Sequence, residues 1–154
     1  MLKYFYDNNL VNYVDKDVSD WKDAIQVSCS DLLDQGTINQ TYVDEIIDCV
    51  QEHGPYIVII PQVAMPHSSE QSAGVFGTAI SFTKFKTPVI FENTLDDEIK
   101  EASLFFTLAA KNPDEHMKNI QNLSELLMID GLVDDLVATK NVEDYQIIMN
   151  KYNI

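Results

Sequence analysis

The sequence predicts an α/β fold, a single domain with one mixed β-sheet flanked by helices. Three observations lead there: helical spacing in the first third, β-branched and aromatic runs between Pro55 and Ala110, and capped helical segments after Asn112. At 154 residues and 45% hydrophobic content, one domain spanning 1–154 is the default, with about two-thirds of the unfolded surface buried on folding.

Each element follows from local pattern. Ser19–Gln35 reads as one helix, because Trp21, Ala24, Ile25, Ser28, Cys29 and Leu32 recur on one face, and Gly36 stands where a C-terminal cap belongs. Gln40–His53 is a second helix with Val43, Ile46, Ile47 and Val50 on its stripe, ending at Gly54. Tyr56–Ile60 is a continuous β-branched run and reads as a buried strand. Pro61–Gly74 has no periodicity and reads as a long loop, a feature more often functional than idle. Val75–Phe85 and Ala102–Ala110 read as strands, with Pro88–Phe91 a short strand or edge. Asn112-Pro113-Asp114-Glu115 is a helix start, with Asn as cap, Pro at the first helical position and Glu able to close a capping box. That helix runs to about Met128 with His116, Ile120, Leu123 and Leu127 on one stripe, and Leu132–Val137 and Val142–Lys151 follow as shorter helices.

Charge excludes some functions. There are 25 acidic residues against ten basic ones, all ten of them lysine, for a net charge of -15. Such a chain is repelled by nucleic-acid phosphates and anionic membranes and lacks arginine, the usual bidentate reader, whereas a basic protein partner is attracted. No signal peptide or membrane-spanning run is visible, and Cys29 and Cys49, inside helices and away from metal-ligand spacing, read as reduced thiols of a cytoplasmic protein. Phosphate-binding glycine loops and the Gly-x-Ser-x-Gly elbow are missing, and no local ligand pair anchors a metal. The acidic runs at 96–98 and 134–135 read as solvated faces.

Three histidines remain. His53 at a helix end suits the dipole and reads as structural. His67 lies in the long loop directly after Pro66, and Ser68 and Ser69 behind it can donate to an anion. His116 sits in the first turn of a helix, where free amides make a natural anion site.

The stretch Gly54-Pro55-Tyr56-Ile57-Val58-Ile59-Ile60-Pro61-Gln62-Val63-Ala64-Met65-Pro66-His67, with the later helix opening at His116-Met117-Lys118-Asn119-Ile120, resembles the IIA components of the bacterial phosphoenolpyruvate-dependent sugar phosphotransferase system. Within the mannitol/fructose superfamily it looks most like the ascorbate-type branch. The resemblance implies that His67 takes a phosphoryl group from the carrier HPr and passes it to a IIB component during uptake of an ascorbate-, pentitol- or hexitol-like sugar. His116 would stabilise the group, Ser68 and Ser69 would bind phosphate, and no cofactor or metal is implied. Contact with the membrane would come only through the IIC transporter. Arginines that relatives carry near this site are absent, Ser69 standing at one such position. A regulatory or binding module that kept the fold is the alternative that the resemblance also implies.

Overall fold

A computed structural model of the chain describes residues 1–68, 72–92 and 99–154. In chain order the elements are α1 (Leu2–Asp7), β1 (Val11–Val14), α2 (Trp21–Ser28), α3 (Ser30–Asp34), α4 (Gln40–His53), β2 (Val58–Ile60), β3 (Gln62–Ala64), β4 (Ala79–Phe91), β5 (Lys100–Ala109), α5 (Pro113–Leu127), α6 (Leu132–Val137) and α7 (Val142–Tyr152). They form one mixed sheet in the order β1-β4-β5-β3-β2, with β1 parallel to β4 and β3 parallel to β5, while β4/β5 and β2/β3 are antiparallel.

The long central strands β4 and β5 bury both faces, which is why they lack simple polar alternation. Phe82 and Phe106 point to the layer of α1 and α7, where their rings meet Phe5 and, from Phe82, Tyr145. Ser81 and Thr107 point the other way and donate to the carbonyl of Ser28 on α2. On that same side Trp21 stacks on Phe91, ring centroids 6.1 Å apart. Helices therefore cover both faces, as the sequence predicts.

Several boundaries differ for physical reasons. The single helix predicted over Ser19–Gln35 is two, broken at Cys29. Ser28 donates its hydroxyl back to the carbonyl of Ile25 at 2.8 Å, a contact that bends helices, and the Cys29 amide is shared between Ile25 and Gln26. Gly36 does end the pair, at φ +72°. The predicted buried strand Tyr56–Ile60 shrinks to the edge strand β2, where Ile59 and Ile60 are exposed and only Ile57 is fully covered. The predicted loop Pro61–Gly74 contains β3, a three-residue strand too short for any periodicity to show. The predicted strands Val75–Phe85 and Pro88–Phe91 merge into one, β4, which begins only at Ala79; Val75 instead forms an isolated bridge with Ile38, and the register with β5 shifts between Lys84 and Val89. Pro88 is tolerated because β1 pairs with β4 only as far as Phe85, so beyond it β4 has a side with no strand partner among the described residues and needs no N–H donor there. α1 and β1, six and four residues long, are too brief to show in the sequence. The acidic run at 96–98 lies outside the described residues.

Candidate functional site

β3 delivers His67. Its parallel ladder with β5 continues past the strand, where the Leu108 amide donates to the Pro66 carbonyl at 2.9 Å. From the other side the Met65 amide donates to Ile57 at 2.8 Å, so the backbone is held on both flanks just before the histidine. Tyr56 donates its hydroxyl to the His67 carbonyl and sets its ring edge-on to the imidazole, centroids 5.4 Å apart at 87°.

The imidazole is half-buried, and its Nδ1 lies 2.5 Å from the Met65 carbonyl. A carbonyl only accepts, so Nδ1 carries the proton and Nε2 keeps its lone pair. Burial lowers the basicity of His67; the Met65 hydrogen bond works against this, and His116 adds to it. The ring is therefore neutral at neutral pH, and Nε2 is its nucleophilic nitrogen.

His116 comes from α5. Asn112 caps this helix by accepting from the Glu115 amide at 2.9 Å, and Pro113 occupies the first position, as predicted. The capping box is only half formed. Instead of reaching back to the Asn112 amide, Glu115 accepts from the Asn112 side chain and, at 2.6 Å, from the hydroxyl of Thr78. Thr78 in turn accepts from the Lys111 amide, so the helix start is pinned to the chain just before β4.

The two imidazoles meet, with ring centroids 5.5 Å apart and planes at 44°. His116 is also half-buried, and burial holds its basicity below the ordinary histidine value. One expectation fails here. The first turn offers the Asp114 amide rather than a row of free ones, because proline has none, the Glu115 amide is taken by the cap and the His116 amide bonds to Asn112. What α5 brings to the site is the imidazole of His116, far more than its helix terminus.

Ser68 is buried against α4, its amide donating to the Tyr42 hydroxyl and its Oγ 3.8 Å from the Cys49 sulfur. Ser69 lies outside the described residues. Tyr42 donates to the Leu108 carbonyl at 2.6 Å, and burial pushes its phenol far above the ordinary value, so it stays protonated and acts as a fixed strut. Gly74 closes the returning chain onto the start of α4: its carbonyl accepts from Asn39, and a Cβ there would lie 2.5 Å from the Asn39 side-chain oxygen. His53, exposed at the end of α4, is not part of the site.

Sequence reasoning missed Tyr42, Tyr56 and Thr78 as site residues. Tyr56 had a signal, since an aromatic directly before an apolar strand and the Pro-His turn can fold back on it. Tyr42 and Thr78 had none, because their roles arise from pairing between distant segments.

Residues 4–152 match the family described as phosphoenolpyruvate-dependent sugar phosphotransferase system, EIIA 2. The chain is 33% identical over 132 residues to the mannitol-specific cryptic phosphotransferase enzyme IIA component of Escherichia coli, covering 86% of each. Ascorbate-specific EIIA components match as well, at 26% identity for that of Shigella flexneri over 86% of this chain and 84% of the relative. Among solved structures, a IIA protein (PtxA) from Streptococcus mutans superposes with TM-score 0.81 at 27% identity, over 98% of this chain and 93% of that one. The IIA of the Escherichia coli mannitol system, solved in complex with phosphorylated IIB, shares the fold at TM-score 0.71 and 22% identity, over 91% of this chain and 94% of that one.

Proposed function

The chain belongs to the EIIA 2 family of the phosphoenolpyruvate-dependent sugar phosphotransferase system, and on that premise we propose that His67 is its phosphoryl acceptor. The observation carrying the proposal is the 2.5 Å contact of His67 Nδ1 with the Met65 carbonyl: it commits Nδ1 as the donor, so Nε2 is the nitrogen that attacks. In the step, the Nε2 lone pair forms a bond to the phosphorus of phospho-HPr, and the P–N bond to the carrier's imidazole breaks, its electron pair returning to that ring. The group then passes to a cysteine of a IIB component, restoring neutral His67. The uptake served is that of a mannitol-, pentitol- or ascorbate-like sugar, and the protein works in the cytoplasm, reaching the membrane only through IIC.

Positioning carries most of such a transfer. Tyr56 and the flanking ladder bonds hold His67 so that its ring need not be ordered at the moment of reaction. His116, close enough to share a phosphate on His67, supplies a donor to an equatorial oxygen. Ser69 is a hydroxyl donor of the same reading; the Ser68 hydroxyl, buried beside the Cys49 sulfur, has to turn away from α4 to join it. With no arginine in the chain, the N–H of His116 takes the hydrogen-bonding part that arginines have in relatives.

The test is incubation with phosphoenolpyruvate, enzyme I and HPr, read by intact mass. One acid-labile phosphate per chain is expected, and none in His67→Ala. Modification of His67→Ala at the wild-type level overturns the assignment. An unmodified wild-type chain favours the regulatory alternative.

A further inference from the structure

A second site lies away from the histidines. A cavity of about 660 Å³ opens between β1, β4 and the α6–α7 connection, and its wall includes Tyr13, Asp15, Lys84, Lys86, Thr139 and Lys140. Three of the ten lysines of this acidic chain thus converge on one cavity, opposed there by a single carboxylate. A neighbouring cavity, reaching from Phe85 to the C-terminal end of β4, is lined by Lys16 with Asp17, Asp20 and Glu92, the balance expected of the chain as a whole.

Lys84 is the informative residue. It is 7% exposed and sits on the face of β4 that also bears Phe82. Its ammonium donates to the Phe85 carbonyl at 3.1 Å and, among the described residues, forms no ion pair. Burying a cation without a counter-charge is costly, and the chain holds 25 carboxylates that could have been placed there. The hydroxyls of Tyr13 and Thr139 bond each other and the Leu136 carbonyl, so they shape the wall and leave the positive charge unanswered.

We propose that this cavity binds a small phosphate monoester whose dianion is held by Lys84, Lys86 and Lys140. Lysine is a compact point charge suited to phosphate, and the volume falls in the range of small-molecule sites. The site is separate from the histidine pair. Lys84 pairs with Leu104, five residues from the Ala79–Ala109 end of the ladder where His67 and His116 meet, or ~17 Å along the strand.

The experiment is a titration of the full chain with glucose 6-phosphate, followed by amide and lysine-ammonium NMR, with glucose and inorganic phosphate titrated alongside. Saturable shifts at residues 13–15, 84–86 and 137–140 are expected, absent with glucose. Lys84→Met should weaken binding about tenfold or more, the loss expected for one buried charge-assisted contact. The surface double variant Lys86→Gln/Lys140→Gln should weaken it too, and it decides the matter if Lys84→Met does not fold. Saturation by inorganic phosphate as well supports recognition through the phosphoryl group. Shifts confined to His67 and His116, equal shifts with glucose, shifts unchanged in the variants, or none that saturate would each overturn the proposal.

Discussion

Tyr56→Phe separates two things that Tyr56 does for His67. The ring stays, and with it the edge-on contact at 5.4 Å; only the hydroxyl that donates to the His67 carbonyl is lost. Removing one such donor costs about 0.5–1.5 kcal/mol net, because the abandoned carbonyl of a half-buried residue recovers part of its loss from water. For a chain of this size that is a drop in Tm of roughly 1–6 °C. Deleting the ring as well, in Tyr56→Ala, should cost a further ~2–4 kcal/mol through lost burial and aromatic contact. Urea unfolding followed by far-ultraviolet circular dichroism gives the stability difference, and the m-value should stay constant because the surface exposed is unchanged. The rate of His67 phosphorylation should fall further than the stability change accounts for, since the freed carbonyl lets the backbone under the imidazole wander and productive alignment is lost. A Tyr56→Phe protein with the wild-type urea midpoint and the wild-type acceptance rate would refute the reasoning that this hydroxyl positions the nucleophile.

Four other outcomes are expected. Both imidazoles are held below their ordinary value of 6.5, chiefly by burial, so NMR titration should give midpoints under 6.5 for His67 and His116. The unfolded chain then binds protons first, so stability is full above pH 6.5 and falls as pH drops from there to the folded-state values, and acceptance by His67 declines over the same acid range. His116→Asn should fold nearly as wild type and accept phosphate, yet slow transfer to IIB by the ~1.5–3 kcal/mol of one charge-assisted hydrogen bond, measurable by rapid quench. Gly74→Ala should lose ~1–3 kcal/mol in urea unfolding, because the new Cβ meets backbone and side chain at the start of α4 with no room to move. Association with HPr should slow as salt rises to physiological strength, where charge steering is screened over ~8 Å; a salt-independent rate would leave the net charge a matter of solubility.

Legibility in the sequence followed length and locality. α4 and α5 could be bounded within a residue because a full apolar stripe and a terminal signal agree, Gly54 closing one and Asn112-Pro113 opening the other. β1 and β3 escaped because three or four residues carry no period, and each becomes a strand only by pairing with a distant partner. The β2 run looked buried because β-branched residues at a sheet edge and at its centre read alike. For the site, His67 stood out through its loop and Pro66, and His116 through the helix start. Their proximity is tertiary, created by β3 and β5 running parallel so that both histidines emerge at one end of the sheet. The helix-terminus expectation failed because the residues that make the start legible, Asn112 and Pro113, are the ones that consume or lack its amides.

The stacking of Trp21 on Phe91 has an optical consequence. This is the chain's only tryptophan, and Phe91 pairs with Lys100, nine residues along β5 from the Ala109 end where the histidines meet, or ~30 Å away. Its indole is 7% exposed and shielded from solvent quenchers, so its emission reports whether the α2 layer is docked on the sheet. Charging His67 should leave that emission unchanged. A fluorescence change on phosphorylation would therefore be a signal in its own right, a sign that the sheet relays an event at one end to the helix at the other.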